Sequence, residues 1–184
     1  MLAAMMGPML AVPIRHVLQR NFVRRRRRAV VLFVSAYVGV WMVAGTILTG
    51  LQIALSRSVN AAALIALIVG LTILWQCSPW KQVCLNRGHG HTPLPPFGAA
   101  ADLGTLRFGA VHGLWCVGSC WALMLVPAAF PSEHLLAMAL VTVWLLGERL
   151  ERPFLPCWRI RAPLKAVSIA RVQICNLRSL RRSA

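Results

Sequence analysis

The chain alternates long apolar runs with short polar or basic breaks. A helix needs about 20 mostly apolar residues to cross a bilayer, and four runs reach or approach that length. They cover residues 29–55, 59–75, 108–130 and 134–150. The pattern therefore predicts an all-α fold, namely a polytopic membrane helical bundle with about four transmembrane helices.

Two further segments flank this four-span domain, which we place at residues 29–152 with a loop at 77–107. Residues 1–28 hold a short apolar segment up to Ile14 and then an arginine-rich flank. The apolar segment is too short to span a bilayer alone, so we expect an interfacial segment or part of a longer helix. Residues 153–184 form a basic, partly amphipathic tail, which favours a helix lying in the membrane interface.

Composition and charge support a membrane location. The 184 residues are 58% hydrophobic and only 13% charged, whereas about a quarter of a typical soluble domain is charged. Lysine and arginine number 20 against four acidic residues, which gives a net charge of +16. Such a charge can indicate nucleic-acid binding, but here the basic residues flank the apolar runs, as membrane topology requires. We therefore expect the lipid bilayer as a partner and no nucleic acid.

The distribution of the basic residues predicts an orientation. In chain order, the N-terminal flank, the three loops and the C-terminal end carry seven, one, three, zero and nine lysines and arginines. Cytoplasmic segments carry the excess of basic residues. The alternation therefore places both termini and the 77–107 loop on the cytoplasmic side of a bacterial cytoplasmic membrane.

Four potential metal ligands recur at four-residue steps in the third predicted span: His112, Cys116, Cys120 and Met124. In a helix this spacing places them one turn apart on one face, and we call this set the stripe. Thiol and thioether sulfur favour Cu(I). The stripe is about 18 Å long, so one ion cannot touch all four side chains. Either a neighbouring pair binds with help from another segment, or the stripe is a series of weak sites.

Packing alone is the alternative explanation of the stripe. Cysteine is small and commonly buried, and small residues pack well between membrane helices. The same applies to Met5, Met6 and Met9, which could bind copper but are explained equally well as gap-filling side chains.

Several segments together resemble a known family. The segments are Ala4–Pro8, Gln76–Lys81 with Cys84–Arg87, Gly104–Met124 and Trp144–Leu150. They are similar to a bacterial family of predicted metal-binding integral membrane proteins of unknown function, which includes copper-chaperone-like partners of tyrosinase. The resemblance covers about residues 3–152 and implies a copper ion as the bound species.

The chain departs from the family pattern at two cysteine positions. Members often carry a second cysteine four residues after the loop cysteine, where this chain has Gly88, and adjacent cysteines on the next helix, where it has Ser119. His89 and His91 lie close to the first position and could replace that ligand. Members usually have a helix before the Ala-Met-Met segment, so we expect either an earlier start than Met1 or one span fewer.

The predicted topology brings the loop cysteine and the stripe to one membrane face. Cys84, His112 and Cys116 could then form a trigonal soft site. Glu148 could pair with Arg149 or Arg107, or accept a hydrogen bond from His112. The expected metal ligands are Cys84, His89, His91, His112, Cys116, Cys120 and Met124.

These features favour a metal-handling membrane protein that binds copper or delivers it to a copper-dependent partner enzyme. The alternative is a non-catalytic structural or assembly subunit of a membrane complex, because glycines at positions 104, 109, 113 and 118 allow close helix approach. A transporter is less favoured because the sequence has no internal repeat. We do not expect an enzyme, since the sequence has no acid pair, nucleophile elbow or phosphate loop.

Overall fold

The computed structural model describes residues 2–90, 93–95, 98–130, 132–151, 153 and 155–160. Within these residues the chain forms six α-helices and no strand, which confirms the all-helical prediction. The helices are α1 (Leu2–Arg20), α2 (Arg26–Ser58), α3 (Ala61–Cys77), α4 (Pro79–Gly88), α5 (Gly98–Ala129) and α6 (His134–Leu150). A short 3-10 turn, Val23–Arg25, joins α1 to α2.

The N-terminal apolar segment belongs to the bundle. The apolar segment up to Ile14 is part of a longer helix, because α1 continues to Arg20. Val17 is fully buried in a cluster with Phe33 of α2 and Phe108 of α5, and Leu10 packs against the same cluster. Burial of these side chains makes α1 a packed part of the bundle, which the short length of the apolar segment did not predict.

The α2 and α5 helices run parallel along most of their length. At their first turns, the Asp102 carboxylate of α5 pairs with Arg25 at 2.8 Å and with Arg28 at 2.6 Å. At the far end, the Gln52 side chain of α2 donates a hydrogen bond to the Ala128 carbonyl of α5 at 3.2 Å. The paired residues are 77 positions apart in sequence at the start (Arg25 and Asp102) and 76 apart at the far end (Gln52 and Ala128). The two helices therefore keep one register along their length.

Two glycines allow α2 and α5 to approach closely. A Cβ built on Gly109 would collide with the carbonyl oxygen of Phe33, and one on Gly113 would lie 3.1 Å from the Val40 Cβ. Small residues of this kind let helix backbones approach each other in membrane proteins. The α5 helix is therefore fitted to α2, which places the stripe against the next turns of α2.

The predicted loop at residues 77–107 is largely helical, which corrects the sequence interpretation. Ser78 accepts a hydrogen bond from the Trp80 backbone N–H at 3.1 Å, and Pro79 occupies the first helical position of α4. This is a helix-start signal, because proline has no N–H to leave unsatisfied there. The α3 and α4 helices meet at a bend of 64°, and α5 already begins at Gly98.

Two described helices can cross a membrane by length and composition. They are α2 with its preceding turn (Val23–Ser58) and α5 (Gly98–Ala129). The α3 and α4 helices meet the same criteria only together, as one bent pair. The fourth predicted span coincides with α6, which has 17 residues. The predicted count of four transmembrane helices is therefore not confirmed.

The start of the C-terminal tail lies on α4. The Gln82 side chain accepts a hydrogen bond from the Cys157 backbone N–H at 3.1 Å and donates to the Cys157 carbonyl at 2.9 Å. Residues 155–160 are not helical. Most of the interfacial helix expected within residues 153–184 lies outside the described residues.

We expect Gly109→Ala to weaken the bundle. The added methyl group would meet the Phe33 carbonyl oxygen, which is backbone and cannot turn away. Overpacking of this kind costs about 1–3 kcal/mol, so thermal unfolding of the purified protein in detergent should begin at a lower temperature. Gly39→Ala on α2 is the matched control, because nothing lies within 4 Å of the Cβ it would add. Equal melting temperatures for the Gly109 variant and the wild-type protein would contradict the proposed packing.

Candidate metal centre

The thiols of the stripe point into the bundle. Cys116 is 1% exposed and Cys120 is 2% exposed. They form one buried cluster with Tyr37 and Trp41 of α2, and α6 closes the cluster with Val141 and Leu145. The four-residue spacing therefore places the two thiols on the face that three helices share.

Hydrogen bonds fix both thiols. The Tyr37 hydroxyl donates to the Cys116 sulfur at 3.2 Å, and the Cys120 thiol donates to the Cys116 backbone carbonyl at 2.8 Å. A hydroxyl that donates to sulfur would stabilise the negative charge of a thiolate ligand. Tyr37 is a functional candidate that the sequence interpretation missed, since it lies 79 residues from Cys116.

Three methionine side chains pack against the buried cluster that holds the two thiols. Met124 of the stripe, Met9 of α1 and Met138 of α6 are partly buried and pack against the same cluster. The cluster thus combines two thiols with three thioethers from three helices, and we call it the sulfur cluster. Of the two methionines outside the stripe, Met138 gave no signal in the sequence, since it is a single methionine in an apolar run.

His112 lies one turn before Cys116, at the edge of the sulfur cluster. Its ring is buried among the rings of Phe33, Tyr37 and Phe108, with centroids 5.9–6.1 Å away. It also lines a cavity of about 350 Å³, which we call the His112 cavity. The other lining residues are Met9, Val12, Pro13, Gly88, His89, Leu146, Arg149 and Leu150.

His89 reaches the same cavity, but both of its ring nitrogens face backbone carbonyls. Nδ1 lies 2.8 Å from the Leu85 oxygen, and Nε2 lies 3.1 Å from the Arg149 oxygen. The ring would have to turn before it could bind a metal. His91, the other predicted histidine ligand of this segment, lies outside the described residues.

The structure does not bring Cys84 to the stripe. The Cys84 sulfur lies 2.7 Å from the position that a Cβ on Gly118 would take. Gly118 is two residues beyond Cys116, which is about 200° around the helix, so Cys84 packs against the opposite face of α5. Among the residues that the structure describes, no three His, Cys, Asp or Glu side chains form a group that could hold a metal ion.

A buried ion pair lies beside this region. Lys81 of α4 pairs with Glu148 of α6, and both side chains are 2% exposed. The Glu148 Oε1 atom also accepts hydrogen bonds from the Gln76 amide at 3.3 Å and from the Trp144 indole at 2.9 Å. The expected pairing of Glu148 with Arg149 or Arg107 is therefore wrong. The structure assigns that role to Lys81, which is 67 residues away in sequence.

The fold and the site define an all-helical protein whose apolar helices enclose a buried pair of thiols. Residues 1–163 match the model of a protein family described as "PpoB2: Copper chaperone". The chain belongs to this copper chaperone family, which confirms the resemblance seen in its motifs and supports a copper-handling role. Searches of curated proteins and of solved structures gave no match.

We expect the ion pair to show strong coupling in a double-mutant cycle. Lys81→Met or Glu148→Leu alone leaves one buried charge without its partner, which typically costs about 3–5 kcal/mol. The double variant removes both charges and should recover most of that loss. Denaturant unfolding of the purified protein measures the four stabilities, with Glu133→Gln as an exposed control. Single variants as stable as the wild-type protein would contradict the role of the pair.

Proposed function

We propose that this chain is an integral membrane protein that binds Cu(I) at Cys116 and Cys120 and delivers it to a copper-dependent partner enzyme. The observation that supports this most directly is the burial of two neighbouring thiols in a cluster with three thioethers. Thiol and thioether sulfur are the ligands that select Cu(I). Membership of a family described as copper chaperones supports the same conclusion.

The two thiols suffice for one ion. Side chains four residues apart on a helix have Cβ atoms about 5–6 Å apart, and a metal–sulfur bond is about 2.3 Å long. Cys116 and Cys120 can therefore share one ion without Cys84. Met9, Met124 and Met138 would then be additional neutral donors from three helices, since their side chains pack against the cluster that contains the pair. The donor set fits a soft monovalent cation.

Binding requires each ligating thiol to lose its proton, since the thiolate is the metal ligand. The Tyr37 hydroxyl already donates to the Cys116 sulfur and would continue to do so once that sulfur carries charge. The additional thioether donors carry no charge, so an incoming donor from a partner can displace them before it displaces the thiolates.

The membrane placement follows the basic residues. We propose that α3 and α6 complete a four-span domain with α2 and α5. Arg25 and Arg28 lie beside Asp102, at the first turns of α2 and α5, and basic residues favour the cytoplasmic side. This orientation places the His112 end of the stripe nearer the cytoplasm and the Met124 end nearer the opposite face.

A structural or assembly subunit is the alternative function. The support for this alternative came from four glycines on α5, but all four face other parts of this same chain. Gly109 and Gly113 face α2, Gly118 faces the Cys84 side chain, and Gly104 faces the ring of Pro95. Close packing within one chain explains these glycines without a partner subunit.

Purified protein loaded with Cu(I) under reducing conditions should retain about one copper per chain after desalting. We expect Cys116→Ser and Cys120→Ser each to lose most of it, because one sulfur of the pair is gone. Cys157→Ser is the matched control, since only backbone atoms of Cys157 make described hydrogen bonds. Elemental analysis with a protein assay gives the ratio.

Cys84→Ser separates two possible sites. Retention of copper by this variant supports the Cys116–Cys120 pair, whereas its loss supports the trigonal site predicted from the sequence. Equal copper in all variants and in the wild-type protein would contradict a cysteine site altogether. A stoichiometric partner whose binding ignores every cysteine change would favour the assembly subunit.

A further inference from the structure

We infer that the stripe is a path for Cu(I) through the bundle, open to a cavity at each end. This inference rests on the proposed copper function and goes beyond it, because it assigns a direction and an exit. The His112 cavity, of about 350 Å³, lies at the first residue of the stripe. A second cavity of about 220 Å³ lies at the last residue, Met124, and we call it the Met124 cavity.

The Met124 cavity lies between α2 and α5. Its walls are mostly apolar, and Thr49 and Gln52 add polar groups at one side. The indole of Trp41 also lines it, and aromatic faces attract cations. The Met124 cavity shares no residue with the His112 cavity.

Cys116 and Cys120 bridge the distance between the cavities. Successive stripe residues are separated by about 6 Å of helix rise, so an ion can bond to the next donor as it leaves the previous one. The two thiols are 1% and 2% exposed, so the middle of the path is closed to solvent.

The donors change along the path in an order that permits release. His112 stands at one end, the two thiols lie in the middle, and the neutral thioether of Met124 stands at the other end. A Cu(I) ion bound to a thiolate has a negatively charged ligand, whereas an ion bound to a thioether does not. The ion therefore dissociates more easily from the thioether. Because His112 lies nearer the arginine-rich face, the acceptor lies on the side opposite to that face.

The transfer balances without any redox change. When Cu(I) passes from His112 to the thiol pair, each thiol that bonds to the ion loses its proton to the freed His112 imidazole, which lines the His112 cavity and releases the proton to solvent there. When the ion passes on to Met124, the thiolates regain the same number of protons by the same route. The protons released on entry are therefore returned on exit, and the net movement is that of one Cu(I).

Reconstituted vesicles test this path. A Cu(I)-chelating indicator sealed inside reports ions that cross, and limited proteolysis of the basic tail from outside gives the orientation of the protein. We expect wild-type protein to raise the rate of indicator loading at least tenfold over protein-free vesicles. Met124→Leu, which conserves volume, should reduce that rate at least tenfold, and the copper that this variant retains after desalting is measured in parallel. Met42→Leu is the matched control, because Met42 lies on the exposed face of α2.

The outcomes separate the two proposals. Vesicles whose protein carries copper but loads no indicator would overturn the path and leave the chaperone function intact. The same conclusion follows if Met124→Leu transfers copper as fast as the wild-type protein. Protein that retains no copper in any form would instead overturn the proposed function itself.

Discussion

The close parallel packing of α2 on α5 determines the rest of the site. Asp102 and its two arginines fix the first turns of the helices, and Gly109 removes the side chain that would hold the backbones apart. With that register set, Tyr37 reaches the Cys116 sulfur two turns further along. A shift of one helical turn would move this hydroxyl about 5.4 Å away. The chemical environment of the thiols is thus a consequence of backbone packing.

The buried Lys81–Glu148 pair joins α4 to α6. Two buried charges are costly to desolvate, and only good geometry with further hydrogen bonds offsets the cost. Gln76 and Trp144 supply such bonds to the Glu148 carboxylate. These four residues come from two of the segments that carried the family resemblance, Gln76–Lys81 and Trp144–Leu150. The motifs therefore meet in the fold, where they join α4 to α6 beside the segment that carries the stripe.

Sequence patterns predicted the helical class, the bounds of α6 and the single helix face shared by the stripe, because each depends on local spacing. They did not predict α4, whose Ser78–Pro79 start was placed in the loop at residues 77–107. The direction of the chain after a 64° bend is a tertiary property, so spacing along the chain could not predict that Cys84 would face Gly118. The partner of Glu148 was missed for the same reason. Spacing along the chain also cannot predict contacts between residues far apart in sequence, such as the packing of Met138 against the cluster that holds the thiols.

The central claim is that copper in this protein is bound by sulfur at the Cys116–Cys120 pair. X-ray absorption at the copper edge of the Cu(I)-loaded protein measures the bound atoms directly. The account predicts a coordination shell of two or three sulfur atoms in the wild-type protein, with fewer sulfurs in Cys116→Ser. A shell of nitrogen and oxygen alone, unchanged by that substitution, would contradict it.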